Sequence, residues 1–290
     1  MLIMLGLAAC LGFGAPEARA VDPAGGARLH AASQHATLER RVWDALGLEA
    51  MVPILREEAV REAETLEAEG LVAPGGIPWA RTVAQIHAPD RLRRAFEESL
   101  GQGAALLDPA LLDEALGFYE TGPGGRLVQL EVSARQAMLE PEVEDAARAR
   151  FAEADLAQAP RALLIRRLID EADLLAPNVA TGMNASVAFS QGFAEGGGFD
   201  MPPTMDELLA EAWGQEAQIE AEAEAWMQAF LMLAYSPLSD AEIEDYLSFA
   251  SSRAGRALSD LLFAGFDTVF VQTSREMGLA AAMRDDGQSL

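Results

Sequence analysis

At 290 residues the chain is long enough for one large domain or two small ones. Half of it is apolar but only 7% is aromatic, so a core must be built mainly from Ala, Leu, Val and Met, a balance that leans to helix. The 46 acidic residues outweigh 21 basic ones, all of them Arg, for a formal charge of −25; the lack of Lys excludes Schiff-base chemistry and the phosphate loop ending in Gly-Lys, and the negative surface disfavours nucleic acid and anionic lipid as partners.

Residues 1–20 read as a secretion signal. Met1 to Phe13 is nearly all apolar, and Ala18-Arg19-Ala20 forms a small-x-small cleavage site before Val21. The usual basic start is missing, which leaves room for an initiator upstream. A rival reading takes Leu7-Ala8-Ala9-Cys10 as a lipobox and makes Cys10 a lipidated N-terminus. Cleavage after Ala20 is favoured, because an apolar run ending at Cys10 is short for a signal. The expected location is periplasmic or secreted, with a membrane-anchored lipoprotein as the alternative. Cys10 is the only cysteine, so the mature chain folds without disulfides, and thiol catalysis and cysteine-bound metals drop out. No later segment approaches a membrane span in length.

Residues 21–37 form a flexible leader. From Leu38 to Leu71, Val42, Leu46, Met51, Ile54 and Leu55 recur at helical spacing, with Pro53 expected to kink or restart the helix. Ala73 to Pro78 is a turn cluster. A helix from Trp79 breaks near Pro89 and resumes through Leu92, Phe96 and Leu100. Asp108-Pro109 opens a short helix, Asp as N-cap and Pro at the first helical position, with Leu112, Leu116 and Tyr119 on one face. It ends at Thr121 to Gly125. The order then recurs: a helix over roughly Arg161 to Gly192 containing Pro177, a Gly-rich connector, a capping box at Thr204–Glu207 opening a helix to about Ala234, and another box at Ser239–Glu242. A break at Ser251-Ser252 precedes a last helix near Arg256.

The landmarks of the two halves keep a nearly constant offset. Pro53 and Pro177 stand 124 apart; Trp79 pairs with Trp213 and Phe96 with Phe230 at 134; Asp108 pairs with Ser239, Leu112 with Ile243 and Phe118 with Phe249 at 131; Gly125-Arg126 pairs with Gly255-Arg256 at 130. Ala115 and Tyr119 match Tyr246 and Ala250, so each copy keeps one ring and one methyl on the same face with the order exchanged, the volume-conserving swap a core tolerates. The expected architecture is all-α: two pseudo-symmetric repeats of a roughly four-helix unit, residues 38–158 and 159–283, packed as one bundle-like array, with a disordered tail at 284–290.

Both copies share Phe-x-x-[Ser/Thr]-x-x-Gly-Arg, with one extra residue in the first: Phe118, Tyr119, Thr121, Gly125 and Arg126 against Phe249, Ser252, Gly255 and Arg256. A structural role is expected. Thr121 or Ser252 can cap the outgoing helix, the Gly permits close approach, and the Arg meets an acid or the carbonyls of the incoming helix. The first-copy string Phe-Tyr-x-Thr-…-Pro-x-Gly-Arg, with the stretch Leu46-Gly47-Leu48 through Arg56-Glu57-Glu58, resembles the bacterial exported proteins of the domain of unknown function 2059 family. That resemblance implies a helical, extracytoplasmic protein with no assigned activity.

No catalytic motif stands out. His30 and His35 lie in the leader, and His87, beside a helix break, reads as a capping or surface residue. The run Glu211, Glu216, Glu220, Glu224 reads as a solvated face rather than a cation site. Trp43, Trp79, Trp213 and Trp226 read as core. No metal or cofactor is expected. The favoured function is an envelope module that binds a protein partner or small ligand between its repeats; the alternative is a hydrolase-like enzyme using carboxylates with Arg126 or Arg256 in a groove.

Overall fold

A computed structural model of the protein describes residues 38–285 apart from Leu71, Pro74 and Leu106. The signal with Ala18 and Ala20, the alternative lipidation site Cys10, the leader with His30 and His35, and residues 286–290 lie outside the described residues. All regular structure among the described residues is α-helical, and none of these helices is long and apolar enough to cross a membrane.

The helices, in order, are α1 (38–45), α2 (Leu48–Ala68), α3 (Trp79–Ile86), α4 (Pro89–Ala104), α5 (Pro109–Glu120), α6 (Gly124–Ala137), α7 (Pro141–Leu156), α8 (Pro160–Glu171), α9 (Leu175–Glu195), α10 (Met205–Ala234), α11 (Asp240–Ala250) and α12 (Arg253–Asp285). Their starts follow local chemistry. Proline occupies the first helical position of α4, α5, α7 and α8, where its missing N–H costs nothing. Asp108 accepts a hydrogen bond from the Ala110 N–H, and Thr204 and Ser239 form reciprocal capping boxes with Glu207 and Glu242.

Several boundaries differ from the sequence reading. The α1–α2 joint is set by Gly47, in the left-handed region at φ 61°, while Pro53 lies inside α2 and does not restart it. The expected helix from Arg161 to Gly192 is two helices, α8 and α9, joined through Asp173 at φ 51°. The last helix opens at Arg253, three residues before Arg256. Arg284 is no part of a disordered tail: it is buried within α12 and donates to the carbonyls of Ala73 and Ile77 and to Glu67.

One continuous apolar core runs from Val42 to Phe270 and draws on both halves. At its centre α12 lies alongside α9 in the same direction, with Asn184 bonded to Asp267 at 3.0 Å and Glu195 paired with Arg275 at 2.7 Å. A Cβ added at Gly192 would overlap the Arg275 carbonyl, and one at Gly278 the Phe189 carbonyl, so the two backbones touch. On another side α12 runs antiparallel to α4: Arg91 meets Glu276, Phe96 lies 4.7 Å from Phe266, and Ser99 contacts Thr268. Trp213 is 61% exposed, contrary to its reading as core. The first half of α10 buries only the narrow stripe Leu208–Ala212, and Trp213, one position on, is turned about 100° away from it.

The α9–α12 contact yields a test. Gly278→Ala forces the helices apart and is expected to cost at least about 3 kcal/mol, roughly 10 °C in melting temperature. Gly214→Ala in exposed α10, where a Cβ meets nothing within 4 Å, should stabilise by up to about 1 kcal/mol. Thermal denaturation of both variants checks the pair.

Candidate functional site

The two motif strings meet where α5 and α11 touch. Phe118 and Phe249 stack on each other, with ring centroids 3.7 Å apart and planes within 5°. Tyr119 meets Phe249 edge-on at 5.7 Å, and Tyr246 lies 6.3 Å from Phe118. Ser252 caps α12 through its hydroxyl, which accepts from the Gly255 N–H at 3.1 Å. Thr121 does not cap α6, contrary to expectation. It closes α5, its hydroxyl donating to the Gly117 carbonyl, because the extra residue and Pro123 carry the chain past it before α6 begins. The motif glycines have a packing reason: a Cβ on Gly255 would overlap the Phe249 carbonyl, and one on Gly125 would crowd the Tyr119 carbonyl at 3.1 Å, while its neighbour Gly124 lies against the Phe118 and Tyr119 rings. Arg126 pairs with Glu242 at 2.5 Å, and Arg256 donates to the carbonyls of Ser251 and Glu171, each at 3.0 Å. The Arg126 pair is about half exposed on both sides, so it contributes no more than about 1 kcal/mol.

Behind this contact lies a buried polar cluster. Glu131 is fully buried and accepts a 2.5 Å hydrogen bond from the Tyr235 hydroxyl. All three tyrosines of the chain, Tyr119, Tyr235 and Tyr246, gather here. Burial first, with the charge of Glu131 added, pushes each phenol above its ordinary value.

A larger concave feature lies elsewhere. A cavity of about 950 Å³ lies between the halves, walled by α1, α2, α3, α4 and α7 on one side and α9, α10 and α12 on the other. Its size is at the top of the usual range for small-molecule sites. Three of the four tryptophans, Trp43, Trp79 and Trp226, line it, together with Phe96, Phe189, Phe193, Phe266 and Phe270. Neither Arg126 nor Arg256 reaches it, so the groove enzyme built on those arginines has no counterpart at this cavity. Glu211, Glu216 and Glu220 do not line it either. Among the described residues no cluster of His, Cys, Asp or Glu could hold a metal ion.

Each of the three tryptophans is held from outside in the same way. Arg93 lies 4.6 Å over Trp43 and pairs with Glu97 and Glu49, and Glu49 also accepts from the Trp43 indole N–H at 3.0 Å. Arg135, fully buried, lies 5.2 Å over Trp226 and grips both oxygens of Glu58 at 2.7 and 2.8 Å. Arg284 lies 5.6 Å over Trp79 and pairs with Glu67 at 3.0 Å. Helix α2 supplies a carboxylate to all three clamps. A guanidinium over an indole is worth about 0.5–2 kcal/mol, more when desolvated, and here it fixes the ring while the rest of each indole faces the cavity.

The wall carries few polar groups. The Ser274 hydroxyl is fully buried with no hydrogen-bond partner. His87 is buried, contrary to its surface reading, and closes α3; its Nδ1–H donates to the Val83 carbonyl at 3.0 Å, which leaves Nε2 as an acceptor. Burial lowers the His87 pKa, with Arg91 and Arg56 reinforcing it against Glu276. The ring is therefore neutral at pH 7. The lining also carries more acids than bases: Glu58, Glu62, Glu144, Asp145 and Glu222 against Arg61 and Arg148, of which Glu144 and Glu222 pair with Arg148. A smaller depression of about 420 Å³ beside Arg41, Tyr119 and Gly125 is the only one of the two that touches the motif.

No family model, curated protein or solved structure matches the chain.

His87 gives a pH test. Its folded pKa lies below the unfolded value of about 6.5, so on acidification the unfolded chain takes up the proton first and stability is lost below about pH 6.5. The capping carboxylates Glu207 and Glu242, held low by their N-cap hydrogen bonds, add their loss only near pH 4 and below. The melting temperature should therefore fall between pH 7 and 5.5, and His87→Asn, which keeps an N–H for Val83, should flatten that fall.

Proposed function

We propose that the protein is a non-catalytic binding module that holds an apolar small molecule in the cavity between its halves. The observation that carries this reading is the convergence of three tryptophans on one cavity, each fixed by an arginine–glutamate clamp. A pre-set apolar pocket loses little entropy on binding, because its walls are already ordered. Titration with the neutral fluorophore N-phenyl-1-naphthylamine should give saturable emission enhancement with micromolar affinity and quench tryptophan emission. Ala59→Trp, at a half-buried position on the wall, should weaken binding at least tenfold at an unchanged melting temperature. A linear, unsaturable response, or equal binding by the variant, would remove the reading.

We also infer that the two halves are duplicated units over residues 38–158 and 159–283. In support, α1, α2, α3–α4, α5 and α6 correspond in order to α8, α9, α10, α11 and α12, with α7 as connector. The α1–α2 and α8–α9 joints each turn on a left-handed residue, Gly47 and Asp173. Arg41 reaches Asp113 on α5 as Arg167, at the matching position, reaches Glu244 on α11. Trp79 and Trp213 depart from the pattern, one buried and one exposed.

Export completes the proposal: a periplasmic or secreted module whose mature chain begins at Val21, in keeping with the resemblance to the domain of unknown function 2059 family. Mass spectrometry of the protein isolated from its native envelope should find that N-terminus; a diacylated Cys10 would replace it with a lipoprotein.

A further inference from the structure

We propose that the occupant of the cavity is a cationic amphiphile, an aromatic or alkyl body carrying an ammonium-type head that rests on the lining beside Glu62. This deepens the binding reading above and rests on it.

The charges on the lining select the head. Both lining arginines are already engaged: Arg148 pairs with Glu144 at 2.7 Å and Glu222 at 2.5 Å, and Arg61 with Glu57 and Glu140, as well as with the Leu139 carbonyl. Neither is left to receive a carboxylate or phosphate head. Glu62, in contrast, is half-buried on the lining and makes no hydrogen bond or ion pair among the described residues. Its carboxyl is pushed up, by burial and then by the nearby charge of Glu69. A cation brought beside it would relieve both effects, whereas an anionic head would add to them.

The cavity body selects the rest of the molecule. Indole and phenyl faces accept alkyl or aromatic groups, and their negative faces favour a cation over a neutral or anionic neighbour. The wall also holds Ser274, whose hydroxyl is fully buried and unpartnered. Such a group is ordinarily satisfied, and a hydrogen-bonding atom on the occupant would do so.

The test uses three molecules with one tail. Decyltrimethylammonium, decanol and decanoate are each used to displace N-phenyl-1-naphthylamine from the full protein in 0.15 M NaCl, where the long-range field of the acidic surface is largely screened. The cation should displace the probe at a concentration at least tenfold below decanol, and decanoate should be weaker than decanol. Glu62→Gln should reduce the advantage of the cation over decanol at least threefold and leave decanol unchanged. Glu211→Gln, which removes a charge from the exposed face of α10 away from the cavity, should leave all three unchanged. Equal displacement by cation and alcohol would overturn the inference and leave the cavity reading standing. So would an advantage reduced as much by Glu211→Gln as by Glu62→Gln, since net charge would then explain it. If neither probe nor any of the three binds, both readings fall together.

Discussion

The backbone contact between α9 and α12 sets the position of everything around it. Gly192 and Gly278 let α9 and α12 touch at main-chain distance, a separation no side chain would permit. With α12 pinned on that side, its remaining faces are committed. One packs against α4 through Phe266, and another presents Phe270, Ser274 and Met277 to the cavity. Protein interiors are packed as tightly as crystals, so a shift of one helix is passed to its neighbours rather than absorbed. The cavity is therefore a consequence of how far apart α2 and α12 are held, with α12 fixed by small residues and α2 by its carboxylates.

Those carboxylates explain why so open a space does not collapse. An aromatic wall with nothing behind it would fold inward to bury area. Here each indole is stacked beneath a guanidinium that is itself anchored on Glu49, Glu58 or Glu67 of α2. The Arg135–Glu58 pair has the highest stakes. Arg135 is buried and Glu58 half-buried; burying a charge is expensive, and removing Glu58 would leave the guanidinium buried without its carboxylate. The pair's presence is better explained by what it positions, the Trp226 ring, than by any gain in stability.

Much of the helical framework is legible in the sequence because helix ends are local chemistry. Asp108, Thr204 and Ser239 cap where their side chains and neighbours require it, and prolines stand at first helical positions. Interior breaks are less legible. Pro53 reads as a kink or restart, yet the chain turns six residues earlier at Gly47, where a left-handed residue breaks the helix without a proline. The cavity is not legible at all, since its lining comes from eight helices and no short window contains it. Glu131 and Arg135 look like two more charges in an acidic helical sequence, and only tertiary packing makes them buried. Trp213 shows the reverse: its residue type suggests core, and its angular position on α10 leaves it in water. The exclusive use of arginine is plain in the sequence, but which arginine meets which tryptophan is not, since Arg93, Arg135 and Arg284 stand far along the chain from Trp43, Trp226 and Trp79.

That exclusive use of arginine has a consequence for the alkaline limb of the protein's stability. A lysine over an indole would begin to lose its charge near pH 10, but a guanidinium keeps its charge throughout the range in which proteins survive. The clamps on Trp43, Trp79 and Trp226 therefore hold as base is added. What gives way instead is the tyrosine cluster. Tyr119, Tyr235 and Tyr246 keep their protons in the folded chain well past the point, about pH 10, at which they would lose them unfolded. Folding is thus undermined from there upward as hydroxide draws the chain toward its ionised, unfolded form. Three buried phenols around one buried carboxylate, rather than any surface charge, mark the upper edge of the protein's working range.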